Sequence, residues 1–308
     1  MHRDRFRTNA PASSALAPWL VIGLFMLALQ IVSVSRVCAQ APAREPGSEL
    51  TVYLATMGQG DLVYEKFGHN AIWIQDALTG TTIAYNYGIF DMRQERFILR
   101  FVQGRMLYQM GVDDAQFQLS TYAAMNRTVT LQRLNLTPAQ RHALREFLEW
   151  NWLPQNRDYL YDYFRDNCST RVRDALDRVL GGQLSRELKG VPTGTTFASH
   201  SLRLTAASPA TYTGLMIAFG LPANRHIDAW EESFIPMQFM EHLRAIDVPG
   251  PDGSTRPLVA EETVAFEADR EPPPEVLPGR LWIYLAAGAL LAAGLLLAAH
   301  SARTRHLR

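Results

Sequence analysis

From Leu281 to Ala299 the chain reads LWIYLAAGALLAAGLLLAA, nineteen residues without a charge. A helix rises about 1.5 Å per residue, so such a run covers the roughly 30 Å hydrocarbon core of a bilayer. It is longer than most buried core helices. Arg303, Arg305 and Arg308 follow it, and Trp282 and Tyr284 open it. Basic residues stay on the cytoplasmic side and amphipathic rings favour the interface, so residues 281–299 are read as a transmembrane helix and 300–308 as a basic cytoplasmic tail. Whatever precedes the span then folds on the other side of the membrane.

The N-terminus agrees with that topology. Arg3, Arg5 and Arg7 precede the apolar WLVIGLFMLAL, and VCA ends at Ala39. That is the layout of a secretory signal peptide over residues 1–39, with an uncleaved anchor as the alternative. Cys38 leaves with a cleaved signal. Arg36 argues against its being a lipidated cysteine.

Over the whole chain 30 basic and 30 acidic side chains cancel and form no basic stripe, which excludes nucleic acid as a partner. Residues 48–248 are long enough for one core. Residues 249–280, rich in proline, glycine and charge, read as a tether. Nothing in the sequence speaks to oligomeric state.

The first part of the body carries strand patterns. ELTVYLATMG alternates around Leu50, Val52 and Leu54, HNAIWIQD and TTIAYNYGIFD flank an ALTG turn at Gly80, and RTVTLQRLNL is a fourth candidate. The period then changes. TPAQRHALREFLEWNW spaces Leu144, Phe147 and Leu148 helically behind a Thr137 cap and Pro138, and STRVRDALDRVLGG places Val172, Leu176 and Val179 on one face with Gly181 as a stop. Further helices are expected near 211–220 and 235–245. The fold class is α+β, an antiparallel sheet packed with helices.

Once the signal is removed, YLYDYFRDNCSTRVRDAL holds the only cysteine, Cys168. Helix-capping types surround it, and a helix N-terminus stabilises a thiolate. An inert buried thiol is the bland alternative, opposed by the polar neighbours Arg165, Asp166, Asn167, Ser169 and Arg171. A thiol nucleophile needs a base, and His69, after Gly68 at the head of an apolar strand, is the best-placed histidine; the alternative is a surface residue at a strand end. His142 and His242 read as solvent-facing. Asn70 and Asn167 flank the pair and either orient the imidazole, donate to an oxyanion, or serve as turn and cap residues. Tyr85, Asn86 and Tyr87 in AYNYG are candidates to line the site and bind substrate. Tyr159, Tyr161 and Tyr163 could stack on one strand face, and Trp150 and Trp152 are read as core or bilayer contacts. No histidine pair has metal-ligand spacing and one cysteine builds no zinc site, so no metal or other cofactor is expected.

LATMGQGDLVYEKFGHNAIWI, YNYGIFD and YDYFRDNCSTRVRDAL resemble the DUF4105 family, the periplasmic domain of Lnb-type lipoprotein N-acyltransferases; FGLPANRHIDAWEESFIPMQFMEHL extends the likeness to about Ile246. The resemblance implies a permuted papain-like domain of the NlpC/P60 type, with the histidine ahead of the cysteine. It implies Cys168 as nucleophile and His69 as base, in a periplasmic domain anchored to the bacterial inner membrane. It further implies phospholipid as acyl donor and a lipoprotein amine as acceptor. A cell-wall amidase or peptidase, a lipid hydrolase with the same dyad, and a non-catalytic membrane-tethered binding module are the alternatives. Asp228, Glu231 and Glu232 match the family pattern without a derivable role.

Overall fold

The computed structural model describes residues 44–306 apart from 91–92, 94, 97–98, 101–105 and 251–252. The signal-peptide reading of residues 1–39 lies outside them. The strands are β1 (Leu50–Met57), β2 (His69–Asp76), β3 (Thr81–Ile89), β4 (Leu107–Asp114), β5 (Val129–Leu134), β6 (Asp158–Leu160), β7 (Pro192–Thr196), β8 (His226–Asp228), β9 (Asp247–Pro249), β10 (Thr255–Pro257) and β11 (Val259–Phe266). The helices are α1 (Ala115–Ala124), α2 (Pro138–Trp152), α3 (Cys168–Val179), α4 (Gln183–Leu188), α5 (Phe197–Leu204), α6 (Pro209–Ala218), α7 (Ala229–Glu232), α8 (Pro236–Arg244) and α9 (Leu281–His306). Seven strands form one sheet in the order β11-β5-β1-β2-β3-β4-β6, every pairing antiparallel. The fold is therefore α+β, as the alternation and the later helical period require.

Strand alternation sorts the side chains onto two faces. Leu50, Val52, Leu54, Ile72, Ile74, Tyr85 and Tyr87 pack with Leu144 and Leu148 of α2, Val172 and Leu176 of α3, and Phe239 and Leu243 of α8. Ala55, Met57, Ala71, Trp73 and Ala84 face the other way into a smaller cluster with Ala115 and, in part, Leu119 and Tyr122 of α1. Each large side chain buried this way contributes about 1.5–3 kcal/mol. Gly80 closes the β2–β3 hairpin in the left-handed region (φ 71°) and sets the register that places Ala71 opposite Asn86.

Residues 249–280 differ from the expected tether. β9 pairs with β10, and β11 extends the main sheet beside β5 from Val259 opposite Leu134 to Phe266 opposite Val129. The charge that makes this stretch read as a linker is edge-strand chemistry: Glu261 pairs with Arg133 at 3.1 Å, and Glu262 accepts from Gln132 and from Arg244 Nε, each at 2.8 Å. The following segment is fastened too. The Ala268 and Asp269 amides donate to Thr128 Oγ1 and Asn126 Oδ1, and Arg270 donates to Asn126 O and reaches Asp61. Within α9, Trp282–His300 is apolar and long enough to cross a membrane, and none of it is buried against the rest of the chain. The helix continues to His306, so most of the basic tail prolongs it. Trp150 and Trp152 are exposed.

Candidate functional site

The site forms where α3 begins against the sheet. Asn167 caps that helix: its Oδ1 accepts the amides of Ser169 and Thr170, both at 2.9 Å, and Thr170 Oγ1 accepts the Asn167 amide at 2.8 Å. Asn167 Nδ2 donates to Tyr163 O and Phe234 O, each at 2.9 Å. Asn70 is equally committed. Its Nδ2 donates to Ser169 Oγ at 3.0 Å, and its Oδ1 accepts from Thr56 Oγ1 at 2.9 Å. Both asparagine side chains thus help position the helix start.

Capping leaves Cys168 as the first helical residue, a free thiol. Burial pushes the thiol up; the main-chain N–H groups of Asn70, Ser169 and Cys168 itself, then the Arg127 guanidinium, act in the opposite direction. The Asn70 N–H belongs to the peptide that joins it to His69. The sulfur therefore sits against the β2 backbone one residue from His69. Close approach on the other flank depends on Gly88, in a β3–β4 irregularity at φ 92°, where an added Cβ would lie 3.3 Å from the Cys168 Cβ. Tyr161 packs beside the same glycine.

His69 opens β2 directly after Gly68, whose φ of 80° and contact with Met57 O leave no room for a side chain: an added Cβ would sit 2.8 Å from that oxygen. His69 Nε2 lies 3.1 Å from Asn86 Oδ1. The rest of the network fixes which ring nitrogen holds the proton. Trp73 Nε1 donates to Gln118 Oε1 at 2.7 Å, so the Gln118 amide nitrogen is the group that donates to Asn86 Oδ1 at 2.5 Å. Asn86 Nδ2 turns to Ala84 O. Asn86 Oδ1 is an acceptor, His69 Nε2 carries the hydrogen, and Nδ1 is left as the basic lone pair. Burial lowers this imidazole to about 4, with Asn86 opposing the shift and Arg127 adding to it, so it is neutral at neutral pH.

Of the sequence candidates, the structure brings together Cys168, His69, Asn70, Asn167 and Asn86. Asn86, expected to bind substrate, instead orients His69. Tyr85 and Tyr87 project from the opposite face of β3 into the main core, each about 95% buried or more. Three contributors escaped sequence reasoning: Gln118, Tyr122 stacked on His69 (centroids 6.3 Å apart), and Arg127 over Tyr122 and paired with Glu65 at 3.8 Å; Tyr161 reads in the sequence only as stacking with Tyr159 and Tyr163. The ALTG hairpin held the signal for Asn86, because pairing Asp76 with Thr81 puts Asn86 on the His69 face. An aromatic path connects the thiol to the surface: Tyr161 stacks on Tyr108 (4.0 Å), Tyr108 meets Phe90 (5.1 Å), and Phe90 meets the exposed Tyr64 (5.5 Å). Tyr159 and Tyr163 lean on Tyr161.

A second polar cluster stands apart. Glu232 accepts from His200 at 2.7 Å, His242 at 2.9 Å and Thr195 at 2.7 Å. His242 is therefore turned inward, contrary to its expected solvent-facing position, because α8 packs beside α7 and presents it to a buried carboxylate. Hydrogen bonds from both histidines and Thr195, outweighing the upward push of burial, hold Glu232 well below the usual carboxylate range. A cavity of about 870 Å³ is lined by these residues together with Arg203, Gln238 and Leu277; neither Cys168 nor His69 borders it. Among the described residues no cluster of three or more His, Cys, Asp or Glu could hold a metal ion.

Residues 43–201 match the family described as the Lnb N-terminal periplasmic domain. The match contains Cys168, His69 and Asn86 and ends before the FGLPANRH block. No curated protein and no solved structure matches.

Proposed function

Given that this chain belongs to the Lnb N-terminal periplasmic domain family, we propose that it is a membrane-anchored periplasmic thiol acyltransferase with a permuted papain-like (NlpC/P60-type) arrangement, seated on the bacterial inner membrane. The observation that carries this reading is a free thiol at a helix start that accepts from the Asn70 main-chain N–H, one residue along β2 from a neutral His69 whose Nδ1 is unprotonated and whose ring is oriented by Asn86. Resting thiol and imidazole are both neutral, so proton transfer accompanies attack rather than preceding it.

His69 Nδ1 takes the Cys168 proton as sulfur attacks an ester carbonyl of a phospholipid. Main-chain N–H groups around the start of α3 stabilise the tetrahedral oxyanion. Collapse breaks the acyl C–O bond, His69 returns the proton to the departing oxygen, and lysophospholipid leaves a Cys168 thioester. An amine, the N-terminus of a lipoprotein, attacks the thioester; its proton passes through His69 to sulfur, giving an amide and the free thiol. The run of packed aromatic rings from Tyr64 to Tyr161 supports an apolar acyl group as the part recognised, because it places apolar ring surface between the thiol and the exterior.

The test is the full chain in vesicles with phospholipid and a diacylated lipopeptide. Lysophospholipid and an N-acylated peptide in equal amounts are expected. Lysophospholipid with free fatty acid would make it a hydrolase, and peptide cleavage without lysophospholipid an amidase. The raised thiol favours one further reading, an inert packed cysteine in a tethered binding module. Failure of Cys168 to react with iodoacetamide near neutral pH would decide for it.

A further inference from the structure

No charged residue occurs between Arg203 and Arg225. That stretch contains α6 and the turn Leu221–Asn224, and it presents large apolar side chains outward: Ile217 is 77% and Leu221 88% exposed, with Met216 beside them. A solvated surface helix carries charge on its outer face, whereas α6 carries none. The start of α9 is fastened to this same element. Arg280 donates to Ala206 O at 2.5 Å and lies over the Tyr212 ring at 4.6 Å, and the Tyr284 hydroxyl is 2.9 Å from Thr213 Oγ1. Tyr284 lies within the apolar stretch Trp282–His300, so α6 is held at the level where the chain enters the bilayer.

We infer that α6 and the Leu221–Asn224 turn lie in the interfacial layer of the bilayer that α9 crosses, as a second, lipid-facing contact of the domain. Two features fit a phospholipid surface. Ile217 and Leu221 supply apolar area for the headgroup–acyl boundary, and Arg280, at the entry to α9, adds positive charge at the same level, whereas Arg225 is neutralised by Glu231. The contact bears on the thiol site, because Phe219 after α6 packs on Phe164 (6.1 Å), four residues before Cys168. Anchoring α6 holds that loop near the membrane surface. The inference itself stands whatever reaction Cys168 performs.

The test uses the full chain, with Cys38→Ser and Cys168→Ser, in vesicles of phosphatidylcholine and phosphatidylglycerol. Ile217→Cys carries an environment-sensitive fluorophore, and Thr79→Cys at the far hairpin turn carries the same label as control. The 217 label is expected to emit to the blue of the 79 label and to lose about half its emission or more to a shallow nitroxide lipid, as for a side chain roughly 5–10 Å into the boundary. Both positions are exposed, so neither label threatens folding. Matching, unquenched emission at both positions would overturn the inference. A blue-shifted but unquenched 217 label would also overturn it, assigning the face to a protein partner.

Discussion

Two histidine clusters in this molecule use similar parts toward opposite ends. At His69 the ring is held by an uncharged amide, Asn86, which fixes its orientation and tautomer while leaving Nδ1 free. At Glu232 two imidazoles donate to one ionised carboxylate, whose oxygens are also engaged by Thr195, and no free nucleophile adjoins them. The first arrangement stores a proton acceptor; the second ties β7, α5, α7 and α8 together. On the proposed mechanism, what distinguishes chemistry from architecture is the neutrality of the partner and the unoccupied ring nitrogen, more than burial or the presence of histidine.

The comparison breaks most sharply if His69 and Glu232 are exchanged in importance. His69→Ala is expected to slow acylation or alkylation of Cys168 by about 10²–10⁴, the usual worth of a positioned general base. Glu232→Ala should leave the rate of the folded protein within a few-fold. Stability should answer in the reverse order. In urea unfolding, Glu232→Ala is expected to cost about 3–5 kcal/mol, since it strips the shared partner from the buried His200 and the partly buried His242, and Glu232→Gln less. If Glu232→Ala instead abolished labelling without destabilising, the architectural assignment would be wrong.

Asn86→Ala sharpens the tautomer argument. Losing one hydrogen bond of about 1–1.5 kcal/mol predicts a roughly tenfold slower acylation, with binding of phospholipid unchanged. An unaffected rate would return Asn86 to a packing role. A further effect is in acid. His69 is lowered to about 4 against an ordinary 6.5, so below 6.5 the unfolded chain takes a proton that the folded chain refuses. Stability is complete above pH 6.5 and falls toward pH 4 by at most about 1.4 kcal/mol per unit from this group. Glu232, held low, loses its contribution only below the ordinary carboxylate range. His69→Gln should flatten the upper window and Glu232→Gln the lower; an unchanged upper slope would contradict burial of a neutral His69.

Local chemistry made part of this legible. Gly68 before His69, the capping residues after Cys168, and the alternation of β1 to β3 are written within a few positions of one another, so strands, helices and the candidate pair could be read directly. Relations across the sheet could not. Asn86 reads as a substrate residue until the Gly80 hairpin assigns its face, and Arg127 reaches the site only because β5 follows α1 on that side. β11 hid behind its own edge charges, Glu261 and Glu262, which imitate a linker. His200, Glu232 and His242 lie on three separate helices, and only their packing makes them one cluster.

The central claim is that Cys168 becomes acylated with His69 as base. Intact-mass analysis of the full chain after incubation with phospholipid tests it most directly, beside Cys168→Ala and His69→Ala. A hydroxylamine-sensitive adduct of fatty-acyl mass on the native chain, absent from Cys168→Ala and much slower in His69→Ala, is the predicted result. A native chain that gains no such mass, or an adduct that persists in Cys168→Ala, would contradict it.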